Sequence, residues 1–268
     1  MKRREFLTTS AAAAFGLAAA KTSQAALPAT SKDLIELRTY HFASAAKQEA
    51  FEDFLADCAI SALNRAGVKP VGVFKLLKAD NPKLKLDADS TDLRVVLRHP
   101  TMESVLTLTE RLAKDAEFTS AAAEVLMTPK DDPAYTRFES SLMLAFDGVP
   151  RVTVPTLAAS RVLQLRTYES HNDERALMKI AMFNDGGELA IFRRCSMAPV
   201  FFGQTLIGDK LPNLTYLLSF ENPAALQAGW GRFGKDPGWQ SLRKDPTYKD
   251  TVSHITNLIL RPARGSQI

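Results

Sequence analysis

A tetrapeptide that occurs twice constrains this chain more than any other feature. Leu37-Arg38-Thr39-Tyr40 returns as Leu165-Arg166-Thr167-Tyr168. Around each copy apolar and polar residues alternate, the period of a strand with one buried face. In the first copy Ile35, Leu37 and Thr39 share one face and Glu36, Arg38 and Tyr40 the other. Further matches follow in the same order. Arg65 and Pro70 answer to Arg194 and Pro199, Arg111, Lys114 and Asp115 to Arg232, Lys235 and Asp236, and Phe118 to Trp239. The later matches lie closer together than the earlier ones, which places a net deletion in the second copy between its second and third strands. The chain reads as one unit used twice.

Each unit follows the order β-α-β-β-α-β. In the first, strands are predicted at 33–41, 71–77, 93–97 and 136–146, with helices through Phe51–Leu63, over 102–112 and over 118–127. Gly67 marks the end of the first helix. In the second, strands are predicted at 161–168, 198–207, 213–220 and 250–260. Helices are expected at 173–194, broken near Gly186-Gly187, and at 223–233. Lys235-Asp236-Pro237 and Lys244-Asp245-Pro246 read as helix stop-and-start signals, with Asp as cap and Pro at the first helical position. The expected fold is therefore α+β, with ferredoxin-like units at 33–147 and 160–261 joined by a linker at 148–159. A four-stranded sheet with both helices on one face leaves its other face bare. Two such faces can cover each other, giving an intrachain pseudo-dimeric α/β barrel.

Positions 1–25 read as a separate targeting segment. Lys2-Arg3-Arg4-Glu5-Phe6-Leu7 resembles a twin-arginine export signal. A weakly apolar Ala-rich run follows, too short for stable membrane insertion, and then the small residues Ser23-Gln24-Ala25. The expected location is the periplasm. This segment also carries net +3 of the formal +4, leaving +1 on the rest, with no long basic run to favour nucleic acid. Composition, at 46% hydrophobic and 24% charged, is that of an ordinary globular protein. Cys58 and Cys195 lack metal-ligand spacing; they read as core thiols, with a disulfide between them left open. His41, His99, His171 and His254 are scattered, so no metal site is expected. No phosphate loop, dinucleotide fingerprint or nucleophile elbow occurs, and no cofactor is evident.

Taken together, the repeated motifs resemble the NIPSNAP family of the dimeric α/β-barrel group. In the first repeat the resemblance rests on Glu36-Leu37-Arg38-Thr39-Tyr40, Gly67-Val68-Lys69-Pro70-Val71-Gly72-Val73-Phe74 and Tyr135-Thr136-Arg137-Phe138-Glu139-Ser140-Ser141. In the second it rests on Leu165-Arg166-Thr167-Tyr168, Pro199-Val200-Phe201-Phe202-Gly203, Pro212-Asn213-Leu214-Thr215-Tyr216, Trp230, Phe233 and Asp236-Pro237-Gly238-Trp239. The resemblance implies the barrel fold and spans nearly all of the chain after the targeting segment. It implies no reaction and no catalytic residues.

One difference between the repeats points to a site. Glu36 and Arg38 share a face about 6.8 Å apart along the strand, so Arg38 has a carboxylate at hand. The equivalent of Glu36 is Gln164, which is neutral. A buried Arg166 then needs another partner: a carboxylate such as Glu169 or Glu188, or a bound anion suited to its planar fork. The candidate ligand residues are Arg166, Tyr168 and Gln164, with Arg38 and Tyr40 as the weaker pair, and the expected ligand is a small carboxylate or similar anion. Trp230, Phe233 and Trp239 either stack on a ligand or anchor their helix to the sheet. Two functions fit: a small-molecule binding or cofactor-free enzyme module, or a non-catalytic interaction module acting through its surface or through self-association as a homo-oligomer.

Overall fold

The computed structural model describes residues 32–268; the twin-arginine segment lies outside the described residues. The first half contains β1 (Leu34–His41), α1 (Ala45–Phe54), a π-helical turn (Leu55–Ala59), α2 (Ile60–Arg65), β2 (Val71–Lys75), β3 (Leu93–His99), α3 (Met102–Ala113), α4 (Ala116–Leu126) and β4 (Arg137–Ala145). The second contains β5 (Val162–Glu169), α5 (Asp173–Asn184), α6 (Glu188–Arg194), β6 (Ala198–Ile207), β7 (Asn213–Phe220), α7 (Pro223–Lys235), α8 (Pro237–Leu242) and β8 (His254–Pro262). All the strands join one closed antiparallel barrel in the order β1-β3-β2-β8-β5-β7-β6-β4. Each half contributes its strands in the same sequence: β4-β1-β3-β2, then β8-β5-β7-β6.

Local chemistry sets the helix starts at matching places in the two halves. Ser44 and Asn172 cap α1 and α5, Thr101 and Asn222 cap α3 and α7, and Asp115 and Asp236 cap α4 and α8. Each side chain accepts the N–H of the residue three positions on, satisfying a donor the helix leaves free. Gly67 and Gly187 both take positive φ, the first past the end of α2 and the second at the break between α5 and α6, a conformation open to glycine at little cost. Two differences from the sequence expectation have local causes. The first helix passes through a π turn at 55–59 rather than running regularly. The last strand starts at His254, not at 250, because a 3-10 turn at Pro246–Tyr248 and a left-handed Asp250 hold the chain away until Ser253 N–H reaches Glu169 O.

Three apolar clusters follow from the alternation. One lies between sheet and helices in the first half, around Phe51, Leu63, Val73 and Leu97. Its counterpart in the second half is richer in rings, with Phe183, Phe192, Phe202 and Tyr216. The third fills the barrel, where Ile35, Phe74 and Met143 meet Leu163, Phe201 and Leu217 from the other half. Cys58 and Cys195 are free and buried in the two separate helix-facing cores, so they do not pair.

The barrel closes across two unlike seams. β4 and β6 pair through four ladder positions. β2 and β8 pair through two, Phe74 with Pro262 and Lys75 with Arg261. Side chains extend that second seam. The Asn81 amide donates to Ile259 O at 2.8 Å and accepts from Ile259 N–H at 2.8 Å, taking the place of a strand neighbour. Arg261 forks onto Asp80 at 2.7 and 2.8 Å.

Candidate functional site

The two arginines of the repeated tetrapeptide both lie between sheet and helix layer, yet their surroundings differ. Arg38 Nε and Nη2 donate to Glu36 at 2.6 and 3.1 Å, and Nη1 reaches the Tyr40 hydroxyl at 3.3 Å. Glu36 also receives Ser140 Oγ at 2.7 Å and lies 3.2 Å from His99 Nε2. Burial pushes the Glu36 carboxyl up, but hydrogen bonds from His99 and Arg38 outweigh it and hold it at about 2. Tyr40 packs against Phe51, Tyr135 and Phe138, with ring centres 4.9, 5.2 and 5.1 Å away. Arg38 and Tyr40 are thus fully engaged within the protein.

In the second half that network is dismantled residue by residue. Register places Gln164 where Glu36 stands, Phe220 where His99 stands, and Asn257 where Ser140 stands. Gln164 gives its amide to Asn257 Oδ1 at 2.6 Å and accepts the Trp230 indole N–H at 2.6 Å. It therefore fixes Trp230 and does not wall the adjoining cavity. Arg166 lies against rings, its Cζ 4.7 Å from the centre of Trp230 and 5.2 Å from that of Tyr168, a cation–π arrangement. Its Nε is buried without a hydrogen-bond partner, and among the described residues no carboxylate reaches ion-pair distance of it. Glu188, one of the two carboxylates in reach on sequence grounds, pairs with Lys179 instead, at 2.7 Å with both side chains buried.

Arg166 opens onto a cavity of about 410 Å3 walled by Trp230, Phe233 and Trp239, with Tyr168, Lys179 and Glu188 also lining it. The Tyr168 hydroxyl is 3.0 Å from that of Tyr216, and burial raises both phenols above their ordinary range. Burial likewise raises the Glu188 carboxyl, against the pull of Lys179 and Arg166. This arrangement can hold one negative group on a planar cation and an apolar body on aromatic walls. A larger hollow of about 500 Å3, beside Pro155 and Thr156, offers less. Its Arg193 and Arg232 already donate to the carbonyls of Gly148 and Cys195. Among the described residues no group of His, Cys, Asp and Glu could hold a metal ion, and no helix is long and apolar enough to cross a membrane.

Lys179 as a site residue escaped the sequence reading, and so did its pairing with Glu188, although the repeat marks each of the two positions as unusual. With Ser44 aligned on Asn172, Lys179 stands where the first half has Phe51. In the alignment that relates Arg65 to Arg194, Glu188 stands where the first half has Ala59. A charge in one copy at the place of an apolar residue in the other marks a position where the halves differ. The shared features are structural. Arg65 forks onto Asp115 as Arg194 does onto Asp236, and Arg111 reaches Ala66 O as Arg232 reaches Cys195 O.

Comparison with known proteins gives a fold and, for the second half, a family match. The profile of the NIPSNAP family matches residues 163–267, which is the second half and not the whole span over which the motifs resemble it. No curated protein matches the sequence significantly. Among solved structures, a "putative monooxygenase" from Lactobacillus acidophilus NCFM aligns over 88% of this chain and 98% of its own, with a TM-score of 0.57 and 10% identity, a likeness of fold alone. A NIPSNAP family protein of unknown function from Agrobacterium tumefaciens aligns over 41% of this chain and 94% of its own, with a TM-score of 0.36 and 24% identity. An uncharacterized NIPSNAP-like domain protein from Burkholderia xenovorans aligns over 41% of this chain and 91% of its own, with a TM-score of 0.37 and 22% identity.

Proposed function

We propose that the chain, whose second half matches the NIPSNAP family, is an exported small-molecule binding module whose site is the Arg166 cavity, and whose ligand is an organic carboxylate with an apolar, preferably aromatic, body. The observation that carries this reading is the contrast between the two arginines. Arg38 holds a carboxylate of its own chain, whereas the Arg166 Nε is buried without a partner at the edge of an aromatic cavity. A buried guanidinium nitrogen without an acceptor costs free energy that an anion would offset. The surrounding barrel is read as a pseudo-dimer of the units at 33–147 and 160–261, supported by the equal strand order and paired caps. Superposition of β1–β4 on β5–β8 by one near-two-fold rotation is the check, and a rotation far from two-fold would count against it.

The chain carries two tryptophans, Trp230 and Trp239, and both line this cavity, so its own fluorescence reports on the site. Titration with 3-phenylpropanoate should change that emission saturably, and the corresponding amide should not. Arg166→Gln should weaken the carboxylate by about 10-fold or more, the scale of one charge-assisted hydrogen bond. Equal binding of acid and amide, or no saturable change, would sink the reading. The interaction-module alternative is favoured by one observation, the exposed Leu206, Ile207 and Leu211 around the tip of the β6–β7 hairpin.

A further inference from the structure

We propose that Lys179 is a reactive amine in the Arg166 cavity, and that it condenses reversibly with the ketone of an aryl-bearing 2-oxo acid to form an imine. This deepens the carboxylate-binding reading of the same cavity and rests on it.

The first half of the chain serves as an internal control. At the positions of Lys179 and Glu188 it holds Phe51 and Ala59, both buried in its helix-facing core. The architecture therefore has no need of charge at either place. The second half nevertheless buries an ammonium and a carboxylate there, with side-chain exposures of 5% and 3%. A buried ion pair is commonly no more stable than apolar residues of similar volume, so packing gives no reason for it. Both groups wall the cavity onto which Arg166 opens.

The immediate surroundings suit an amine that hands its proton to a neighbour. Lys179 Nζ lies 2.7 Å from Glu188 Oε2. It lies 3.2 Å from Met182 Sδ. These contacts occupy two of its three N–H groups. Phenylalanine and tyrosine rings flank it, with Nζ 4.4 Å from the centre of Phe183 and 5.6 Å from that of Tyr168. The second cation, Arg166, stands 5.2 Å from that same Tyr168 ring. An apolar pocket and a neighbouring cation are the two settings in which lysines serve as nucleophiles. The carboxyl that would take the proton is raised by burial, so it holds a proton more readily than an exposed glutamate.

The step balances without a further reactant. The Lys179 ammonium passes one proton to Glu188, leaving a neutral amine and a neutral carboxyl. The amine nitrogen forms a bond to the ketone carbon, and the carbonyl π pair moves to oxygen. After proton shift from nitrogen to oxygen the intermediate is a neutral carbinolamine. Glu188 returns its proton to that hydroxyl, the C–O bond breaks, and water leaves. The products are a protonated imine on Lys179, the Glu188 carboxylate and one water. Nothing is oxidised or reduced. Arg166 takes the carboxylate next to the ketone, and Trp230, Phe233 and Trp239 take the aryl group.

The test is reductive trapping. The purified protein is incubated with phenylpyruvate and sodium cyanoborohydride, and the adduct is located by intact mass and peptide mapping. The expected result is one adduct per chain, on Lys179. It should be prevented by excess 3-phenylpropanoate, which has the carboxylate and ring but no ketone. Lys179→Met should lose it. The double variant Lys179→Met with Glu188→Gln should lose it too, without leaving a carboxylate buried alone. Adducts spread over exposed lysines, or none at all while 3-phenylpropanoate still changes the tryptophan emission, would overturn the imine and leave the binding reading standing. Absence of both signals would overturn both.

Discussion

At the scale of single residues, the two copies of one tetrapeptide separate a structural arginine from an available one. Removing one partner of a buried ion pair leaves the other uncompensated. Arg38→Gln should therefore cost about 3 kcal/mol of stability by that rule, while Arg166→Gln, which breaks no protein ion pair, should stay within about 1 kcal/mol. Equal losses in chemical denaturation would contradict the assignment. The same ion pair predicts an acid response. The folded Glu36 carboxyl sits at about 2 against an ordinary 4.5, so its contribution is complete above 4.5 and drains away as pH falls towards 2. That interval is worth on the order of 3 kcal/mol at about 1.4 kcal/mol per pH unit. Glu36→Gln should flatten the acid limb of a stability-against-pH curve, and an unchanged limb would show that the carboxyl is not held low. The exchange of Glu36 for Gln164 was legible in the sequence because each stands two positions before its arginine on one strand. The engagement of Glu188 with Lys179 was not, because it depends on how α6 returns past α5 after the Gly187 break.

At the scale of elements, most of what was readable came from local rules. Asp236 with Pro237, Asp245 with Pro246 and Gly67 all mark element ends as their residue types require. The strands were legible from alternation because one face of each meets a core. What alternation cannot supply is the way a short strand is completed by side chains. Asn81 sits in what reads as a polar loop, and yet it is buried and stands in for a strand beside Ile259. Asn81→Ala would orphan both the N–H and the C=O of Ile259. The expected loss is about 2 kcal/mol, since each half-buried orphan carries part of the usual penalty. Hydrogen exchange at the Ile259 amide should accelerate more than at amides of the β4–β6 seam. An unaltered Ile259 rate would show that water replaces Asn81 without cost.

At the scale of the whole molecule, two expectations reach beyond single elements. Export is an expectation that rests on Arg3 and Arg4, which lie outside the described residues. Replacing both with Lys should leave precursor in the cytoplasm, as a fractionation blot would read, and unchanged maturation would mean another route. The other expectation concerns having both halves on one chain. In a barrel assembled from two identical subunits, every substitution arrives twice, and a change that opens a site in one copy also removes an ion pair from the other. Here the same change arrives once. The Gln at 164, the Phe at 220 and the Lys at 179 are the equivalents of Glu36, His99 and Phe51 in the other half. One half holds its arginine in an ion pair while the other leaves the equivalent arginine at a cavity, so a change at Gln164 or Lys179 can alter that cavity without breaking the Glu36–Arg38 pair.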